Sequence, residues 1–344
     1  MNGEIFIFLL QDGLGNGAIY ALLAIAIVLV FAVARVLFIP QGEFVVFGAF
    51  AMASIQAGQP SALIWLAVAM ACIETVVDGI EAIRKGRGLS AGGVGAKVMV
   101  PFGVAILLYT LPLADLPIIF QAALAIAVIA PMGPQIYRLC YQPVAAASML
   151  VLLMVSIVVH VGLVSLGLLL LGPQGSQTRP FVAGEFDIMG FPVSIQIIWV
   201  ILISAALVVL MHGYFGRALF GKALRATAMN RTGARLVGVS PVFSGRLVFL
   251  IAAFIGASSG ILIAPITPLY YDSGLLIALK GFVGAVIGAM AGYPLAAVGS
   301  VVVGLLEAFA AFWASLYKEV IVFTLLLPIL LWRSYASSHA EEEE

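Results

Sequence analysis

The stretch LGNGAIYALLAIAIVLVFAVARVL, residues 14–37, decides the fold class. It holds a single charged residue, Arg35, and a helix of about 20 such residues crosses the roughly 30 Å hydrocarbon core of a bilayer. The rest of the 344-residue chain is similar, with 63% hydrophobic and 9% charged residues. Soluble domains carry about a quarter charged residues, and disordered chains are far less apolar. The composition therefore predicts an all-α polytopic membrane protein.

Hydrophobic runs bounded by Gly, Pro or charged residues repeat along the chain. Several are shorter than one complete crossing, so we expect about 9 to 11 transmembrane or broken helices. The runs cover residues 14–37, 44–58, 61–77, 98–114, 117–133, 148–171, 195–213, 245–264, 276–291, 294–313 and 316–332.

The basic residues predict the orientation of these helices, because Lys and Arg concentrate in cytoplasmic loops. If segment 214–246 is cytoplasmic, eleven crossings place thirteen of the 16 basic residues inside. Only Arg179 and Lys318 fall outside, and Lys280 lies within a run. This predicts an N-terminus outside and a C-terminus inside. We expect a membrane domain over residues 1–334 and a disordered acidic tail over 335–344.

Segment 214–246 is the most informative loop, with six basic residues and no acidic one. Gly238 supplies a chain reversal near its end. The segment could be a basic surface that touches anionic lipid, or a docking element for a cytoplasmic partner. Its pattern predicts a short amphipathic helix with one face formed by Leu219, Ala223, Ala226 and Asn230.

Residues 216–223, GRALFGKA, match the spacing of a phosphate-binding loop but end in Ala. A true loop of this type needs Ser or Thr there to hold Mg²⁺, and it follows a buried strand. We therefore expect no cofactor in this chain, and any ATP must be hydrolysed by another subunit. Cys72 and Cys140 give no support for a disulfide framework or a metal site.

Ionisable residues at hydrophobic runs are costly in lipid and usually face a partner or a cavity. Lys280, Glu307 and Glu43 are the candidates, and a pair between Lys280 and Glu307 on neighbouring helices would lower the cost of both charges. Such residues could line a path or only fix helix packing. His160 could shuttle protons, but without an acidic chain around it we expect a hydrogen-bonded bundle residue.

Small residues recur four apart, a spacing that lets helices approach closely in lipid. We expect these residues to serve helix packing more than to line a substrate path. The sets are Gly13, Gly17 and Ala21; Gly256 and Gly260; Gly284, Gly288 and Gly292; and Ser300, Gly304 and Ala308.

Four stretches together resemble the permease subunit of branched-chain amino acid ABC importers, the LivH type. GKALRATAMNRTGARLVGVS resembles the family's cytoplasmic coupling loop, and PQGE after the first run resembles its HGE turn. The resembling stretches are residues 221–240, residues 12–31 with 40–43, residues 141–144, and residues 278–309.

The resemblance implies a multi-pass permease of the bacterial inner membrane that does no covalent chemistry. Its implied partners are a second permease of the LivM type, two cytoplasmic ATPases and a periplasmic binding protein. Its implied substrates are hydrophobic amino acids, or related solutes such as urea, amides and small carboxylates. The implied ATPase-coupling residues are Arg217, Lys222, Arg225, Asn230, Arg235 and Gly238.

The sequence also departs from the family's usual pattern. Gln41 stands where the family has His, Met229 where an acidic residue is common, and Arg231 where Pro is common. Segment 78–135 is longer than the usual connection and suggests an inserted cytoplasmic loop with a helical hairpin. A proton-coupled secondary transporter is the alternative, although it gives the basic loop no task; a membrane enzyme would need converging polar residues that we do not find.

Overall fold

The computed structural model describes residues 3–84, 91–182, 184–188, 191–288, 293–324, 327–329 and 331. These residues are mostly helical, as expected where lipid offers the backbone no hydrogen-bond partner. The helices are α1 (Gly3–Ala34), α2 (Gln41–Gln56), α3 (Leu63–Arg84), α4 (Ala91–Thr110), α5 (Ile118–Ile129), α6 (Met132–Ile136), α7 (Met149–Leu171), α8 (Ile195–Arg217), α9 (Leu219–Met229), α10 (Arg231–Leu236), α11 (Pro241–Ile263), α12 (Gly274–Ile287), α13 (Tyr293–Trp313) and α14 (Lys318–Thr324).

A short hairpin precedes α8. Strand β1 (Glu185–Ile188) pairs antiparallel with β2 (Phe191–Ser194), with Glu185 opposite Ser194. The sequence analysis did not predict it, because it lies in a polar connection between two hydrophobic runs.

Each of the eleven hydrophobic runs overlaps a helix, and the all-α polytopic fold is confirmed. Within the described residues, seven helices are long and apolar enough to span a membrane. Shorter apolar helices cover Lys97–Thr110 and Gly274–Ile287. The shorter helices fit the expectation that part of the membrane domain consists of broken helices. The orientation of the termini remains a prediction.

The chain divides into two compact units. The first combines residues up to 28, residues 182–212 and residues from 276 onwards. The second combines residues 29–181 and 213–275.

In the first unit, small residues bring helix backbones together. A Cβ on Gly304 of α13 would lie 2.4 Å from the backbone nitrogen of Gly17 in α1. A Cβ on Gly284 of α12 would lie 2.7 Å from the Cα of Ser300. The expected packing role of these residues is therefore confirmed at these contacts.

In the second unit, α2 packs along α11 in the same manner. A Cβ on Gly260 would lie 1.9 Å from the carbonyl oxygen of Val45, so no larger residue fits there. Aromatic rings pack against the first half of α11: the Phe249 ring lies 4.8 Å from that of Phe38 and 5.2 Å from that of Tyr141, between centroids.

Part of the suspected insertion, segment 78–135, forms the end of α3 together with α4 and α5. The indole nitrogen of Trp65 donates to the hydroxyl of Tyr109 at 3.1 Å, which joins the start of α3 to the end of α4 as a helical hairpin. That segment 78–135 is an insertion relative to the family stays a prediction.

Several predictions concern residues outside the described ranges. They are the acidic tail 335–344, the packing role of Gly292, and the cytoplasmic placement of Lys85, Arg87 and Arg333.

Candidate functional site

The basic segment folds as two short helices, α9 and α10, between the membrane helices α8 and α11. The side chain of Asn230 accepts a hydrogen bond from the backbone nitrogen of Gly233 at 2.9 Å and so caps α10. Gly238 adopts φ of +85°, a left-handed conformation that favours glycine and turns the chain. Ser240 then caps α11 with Pro241 in its first turn. Local sequence thus fixes the start of α10, the turn and the start of α11.

All six residues predicted to contact an ATPase are exposed, on this helix pair or immediately beside it. Apolar side chains on the same pair are exposed as well: Leu219 is 82% exposed and Met229 is 86% exposed. The surface therefore combines positive charge with uncovered apolar groups. The six are Arg217, Lys222, Arg225, Asn230, Arg235 and Gly238.

The buried face of α9 differs from the face that begins at Leu219. It consists of Gly221, Leu224 and Thr227. The hydroxyl oxygens of Thr227 and Ser244 lie 3.0 Å apart, which fixes α9 against the start of α11. Helical periodicity alone could not separate these two faces, because both contain small and apolar residues.

Arg231 joins this helix pair to α1. Its Nη2 donates to the main-chain carbonyl of Val33 at 2.8 Å. The last carbonyls of a helix lack partners within it, and a positive charge there suits the helix dipole. Burial lowers the pKa of Arg231 from its ordinary value. The sequence analysis noted Arg231 only as a departure from the family pattern and missed this contact.

Lys280 and Glu307 form a buried ion pair in the first unit. Lys280 donates to Oε1 of Glu307, and the hydroxyl of Tyr20 donates to Oε2 at 2.6 Å. The ammonium also lies 5.9 Å from the centroid of the Tyr20 ring. The sequence suggested the Lys–Glu pair but did not reveal Tyr20. The role of this cluster in a transport path stays a prediction.

Glu43 lies in the second unit, with His160. It is fully buried in the first turn of α2, and its Oε1 lies 3.1 Å from Nδ1 of His160 in α7. The sequence analysis did not pair His160 with Glu43; the helix packing brings these two residues together although they lie far apart in the chain.

A charged network in the second unit also escaped the sequence analysis. Its acidic members lie at successive turns of one face of α3. Arg138, in the π-helical turn Tyr137–Tyr141, pairs with Asp78 at 2.7 Å and with Glu81. The spacing of these acids at the end of a hydrophobic run was the available signal.

The same network reaches two further helices. Lys97 of α4 pairs with Glu74 at 2.8 Å and also with Asp78. Arg246 of α11 lies 3.4 Å from Glu74. The network therefore connects the helical hairpin to α11, the helix that follows the basic pair.

Comparison with known proteins gives the family. Residues 88–330 match the family described as branched-chain amino acid transport system / permease component. The chain belongs to this family. The matched residues include α9, α10, Lys280 and Glu307, whereas Glu43 lies before them.

Two bacterial relatives of this permease are similar in sequence. This chain is 28% identical over 242 residues to the high-affinity branched-chain amino acid transport system permease protein BraD of Pseudomonas aeruginosa. The aligned part covers 66% of this chain and 77% of BraD. The chain is 28% identical over 219 residues to the corresponding LivH protein of Escherichia coli, covering 60% of this chain and 70% of LivH. Among solved structures, PsaBC from Streptococcus pneumoniae in complex with Fab has a TM-score of 0.37 at 10% identity, over 94% of this chain and 90% of that chain.

The chain is thus a multi-pass membrane permease of the ABC importer class. This assignment favours an ATP-driven importer over the proton-coupled secondary transporter that the sequence left open.

Proposed function

We propose that this permease carries branched-chain or other hydrophobic amino acids across the bacterial inner membrane. BraD and LivH, by their names, belong to branched-chain amino acid systems, and this supports the substrate class. The chain would form half of the translocation path, with a second permease of the LivM type forming the other half. A periplasmic binding protein would deliver the substrate.

The observation that carries the coupling part of this proposal is the exposed α9–α10 pair. Positive side chains and exposed apolar groups such as Met229 occupy one short segment between two membrane helices. Charged groups speed and orient association, and buried apolar groups supply most of the binding free energy. Such a surface suits an acidic, partly apolar recess on a cytoplasmic ATPase.

Arg231 supplies a route from that surface into the membrane helices. When the ATPases close on ATP, they would displace α10, and the hydrogen bond from Arg231 to Val33 would carry the displacement to α1. The charged network around Glu74 would carry it from α11 to the helical hairpin. The proposed orientation has this loop inside, the N-terminus outside and the C-terminus inside.

The chain itself would perform no covalent chemistry and hold no cofactor. ATP would be hydrolysed by the partner subunits, since the GRALFGKA segment covers the end of α8 and the start of α9 and is not a strand-to-helix loop. Lys280 and Glu307 would hold α12 against α13 near the path.

Co-purification with the candidate ATPases tests this function. The permease is co-expressed with them as wild type, as the double variant Lys222→Glu and Arg225→Glu, and as the control Arg179→Glu. Arg179 is also an exposed basic residue, but it follows α7 and lies outside the basic helix pair. We expect the double variant to lose most of the ATPase while the folded permease yield is unchanged, and the control to retain it. Undiminished ATPase in the double variant contradicts the docking assignment.

A further inference from the structure

The pair formed by Glu43 and His160 has no part in the coupling just described. Glu43 is 0% exposed, and the side chain of His160 is 13% exposed. A Cβ on Gly274 would lie 2.5 Å from Oε1 of Glu43, so the backbone closes over the carboxyl group. The carboxyl group has no room to turn towards solvent.

The polar atoms of this pair lack the hydrogen bonds that a buried carboxylate requires. Within the described part of the chain, Oε2 of Glu43 has no hydrogen-bond partner, and Oε1 of Glu43 and Nδ1 of His160 meet each other at 3.1 Å and have no further partner. Among the described residues, Oε1 of Gln41, two positions before Glu43, is also without a partner, and the amide nitrogen of Gln41 donates to the carbonyl of Ala252 at 2.9 Å. An ionised carboxylate without such bonds is strongly destabilised in a dry interior.

Among the charged and titratable residues around Glu43, His160 is the one that can neutralise the Glu43 carboxylate. Asp272, before α12, adds negative charge nearby. The charged residue of α11, Arg246, lies beside Glu74, and Asp115 is exposed. The sequences of α5 and α7 contain no charged residue. Among the described residues around Glu43, a protonated His160 is therefore the positive charge that can balance the carboxylate.

We propose that Glu43 and His160 form a proton-binding site that holds one proton between Oε1 and Nδ1 at neutral pH. With one proton the pair is neutral overall, either as acid and imidazole or as carboxylate and imidazolium. Loss of that proton leaves a buried carboxylate without a counter-charge. Gain of a second proton leaves a buried imidazolium beside a neutral acid. The packing of α2 against α7 is most stable in the one-proton state.

The sign of the pH dependence follows from this balance. The folded state binds the proton more tightly than the unfolded chain, where Glu43 ionises freely. Stability therefore falls as the pH rises through the range in which the folded site loses its proton. Glu43→Gln removes the carboxylate that needs the proton, and it should abolish the alkaline fall while keeping the size of the side chain.

Thermal unfolding of the purified, full-length permease in detergent tests this directly. The Tm is measured from about pH 5 to about pH 10, a range that spans the titration of an ordinary imidazole. The proteins are wild type, Glu43→Gln, His160→Gln and His212→Gln, which replaces an exposed histidine of α8. We expect the Tm of wild type and His212→Gln to fall by several degrees per pH unit in the alkaline range. The Glu43→Gln profile should be flat there. Equal profiles for wild type and Glu43→Gln overturn the proposal.

A second measurement needs no variant at the site. In wild-type protein at neutral pH, we expect either infrared spectroscopy to show a protonated buried carboxyl group or ¹⁵N-histidine NMR to show protons on both ring nitrogens of His160. The chain has three histidines, so the signal of His160 is assigned by elimination with His212→Gln and His339→Gln. Absence of both signals overturns the proposal even if Glu43→Gln fails to fold. Neither measurement involves an ATPase, so its outcome is independent of the proposed coupling.

Discussion

The guanidinium group of Arg231 donates to the main-chain carbonyl of Val33 across 2.8 Å, and this bond ties the basic helix pair to the last turn of α1. Helix α1 ends at Ala34, and Arg35 follows in a left-handed conformation with φ of 60°. The chain therefore leaves α1 abruptly, and Arg231 is the side chain that holds this end. A surface loop thereby gains direct contact with a membrane helix.

Replacing Arg231 should uncouple the motor from the membrane helices. A hydrogen bond from a charged group contributes about 1.5–3 kcal/mol, so Arg231→Met should weaken the α10–α1 contact without removing the docking surface. We expect substrate uptake by the reconstituted importer to fall several-fold while ATPase co-purification is retained. Arg179→Met, which replaces an exposed basic residue outside the basic helix pair, is the control. Equal uptake by the two variants would show that the contact transmits nothing.

Breaking the buried pair of Lys280 and Glu307 should destabilise the first unit. Lys280→Met leaves a buried carboxylate with only the Tyr20 hydroxyl, and the loss of one partner of a buried pair costs about 3–5 kcal/mol. We expect a large fall in Tm and in uptake. Lys318→Met, which removes a more accessible charge, should change little; similar effects from both substitutions would contradict this assignment.

A double variant separates packing from a role in the path. Lys280→Met with Glu307→Met removes both charges and should restore much of the stability that Lys280→Met loses. If uptake returns with stability, the pair only packs helices. We expect uptake to remain low in spite of a recovered Tm, as a path residue requires.

The contact between α1 and α13 should tolerate no side chain at Gly304. A Cβ there would lie 2.4 Å from the backbone of Gly17, and both atoms belong to rigid helices. Gly304→Leu should therefore lower stability by at least about 1–3 kcal/mol, measured as loss of monodisperse protein on size-exclusion chromatography. Gly162→Leu on α7, where a Cβ meets nothing within 4 Å, is the matched control. A monodisperse Gly304→Leu variant would mean that the two helices do not meet there.

The stability contributed by the charged network should depend on the sign of each charge and not on which residue carries it. Arg138→Asp places a third negative group beside Asp78 and Glu81, and we expect a marked loss of stability. Adding Asp78→Arg restores one opposite-charge pair and should recover part of the Tm. No recovery in the double variant would indicate that the Arg138 side chain acts through packing alone.

The sequence was sufficient for the membrane helices, because hydropathy follows directly from the cost of polar groups in lipid. It also suggested the Lys280–Glu307 pair, since the two residues lie on consecutive helices of one hairpin. The sequence did not predict contacts between residues that lie far apart in the chain. Tyr20 and Glu307 are separated by 287 positions, and Val33 and Arg231 by 198.

Those contacts are set by how the helices pack, which depends on small residues and shape more than on charge. Gly256, Gly260 and Gly274 bring α11 and the start of α12 against α2, and this packing buries Glu43. A sequence pattern identifies such glycines but does not say which helix each one meets. The proximity of Glu43 and His160 could therefore be found only from the structure.

The most direct test of the central claim is a crosslink from the α9–α10 surface. A photoreactive residue replaces Met229, which is 86% exposed at the end of α9, in the complex co-expressed with the candidate ATPases. The same residue at Arg179 serves as the reference position. The account predicts an ATPase adduct from position 229 and none from position 179. A fully assembled, transport-active complex that gives no ATPase adduct from position 229 would contradict it.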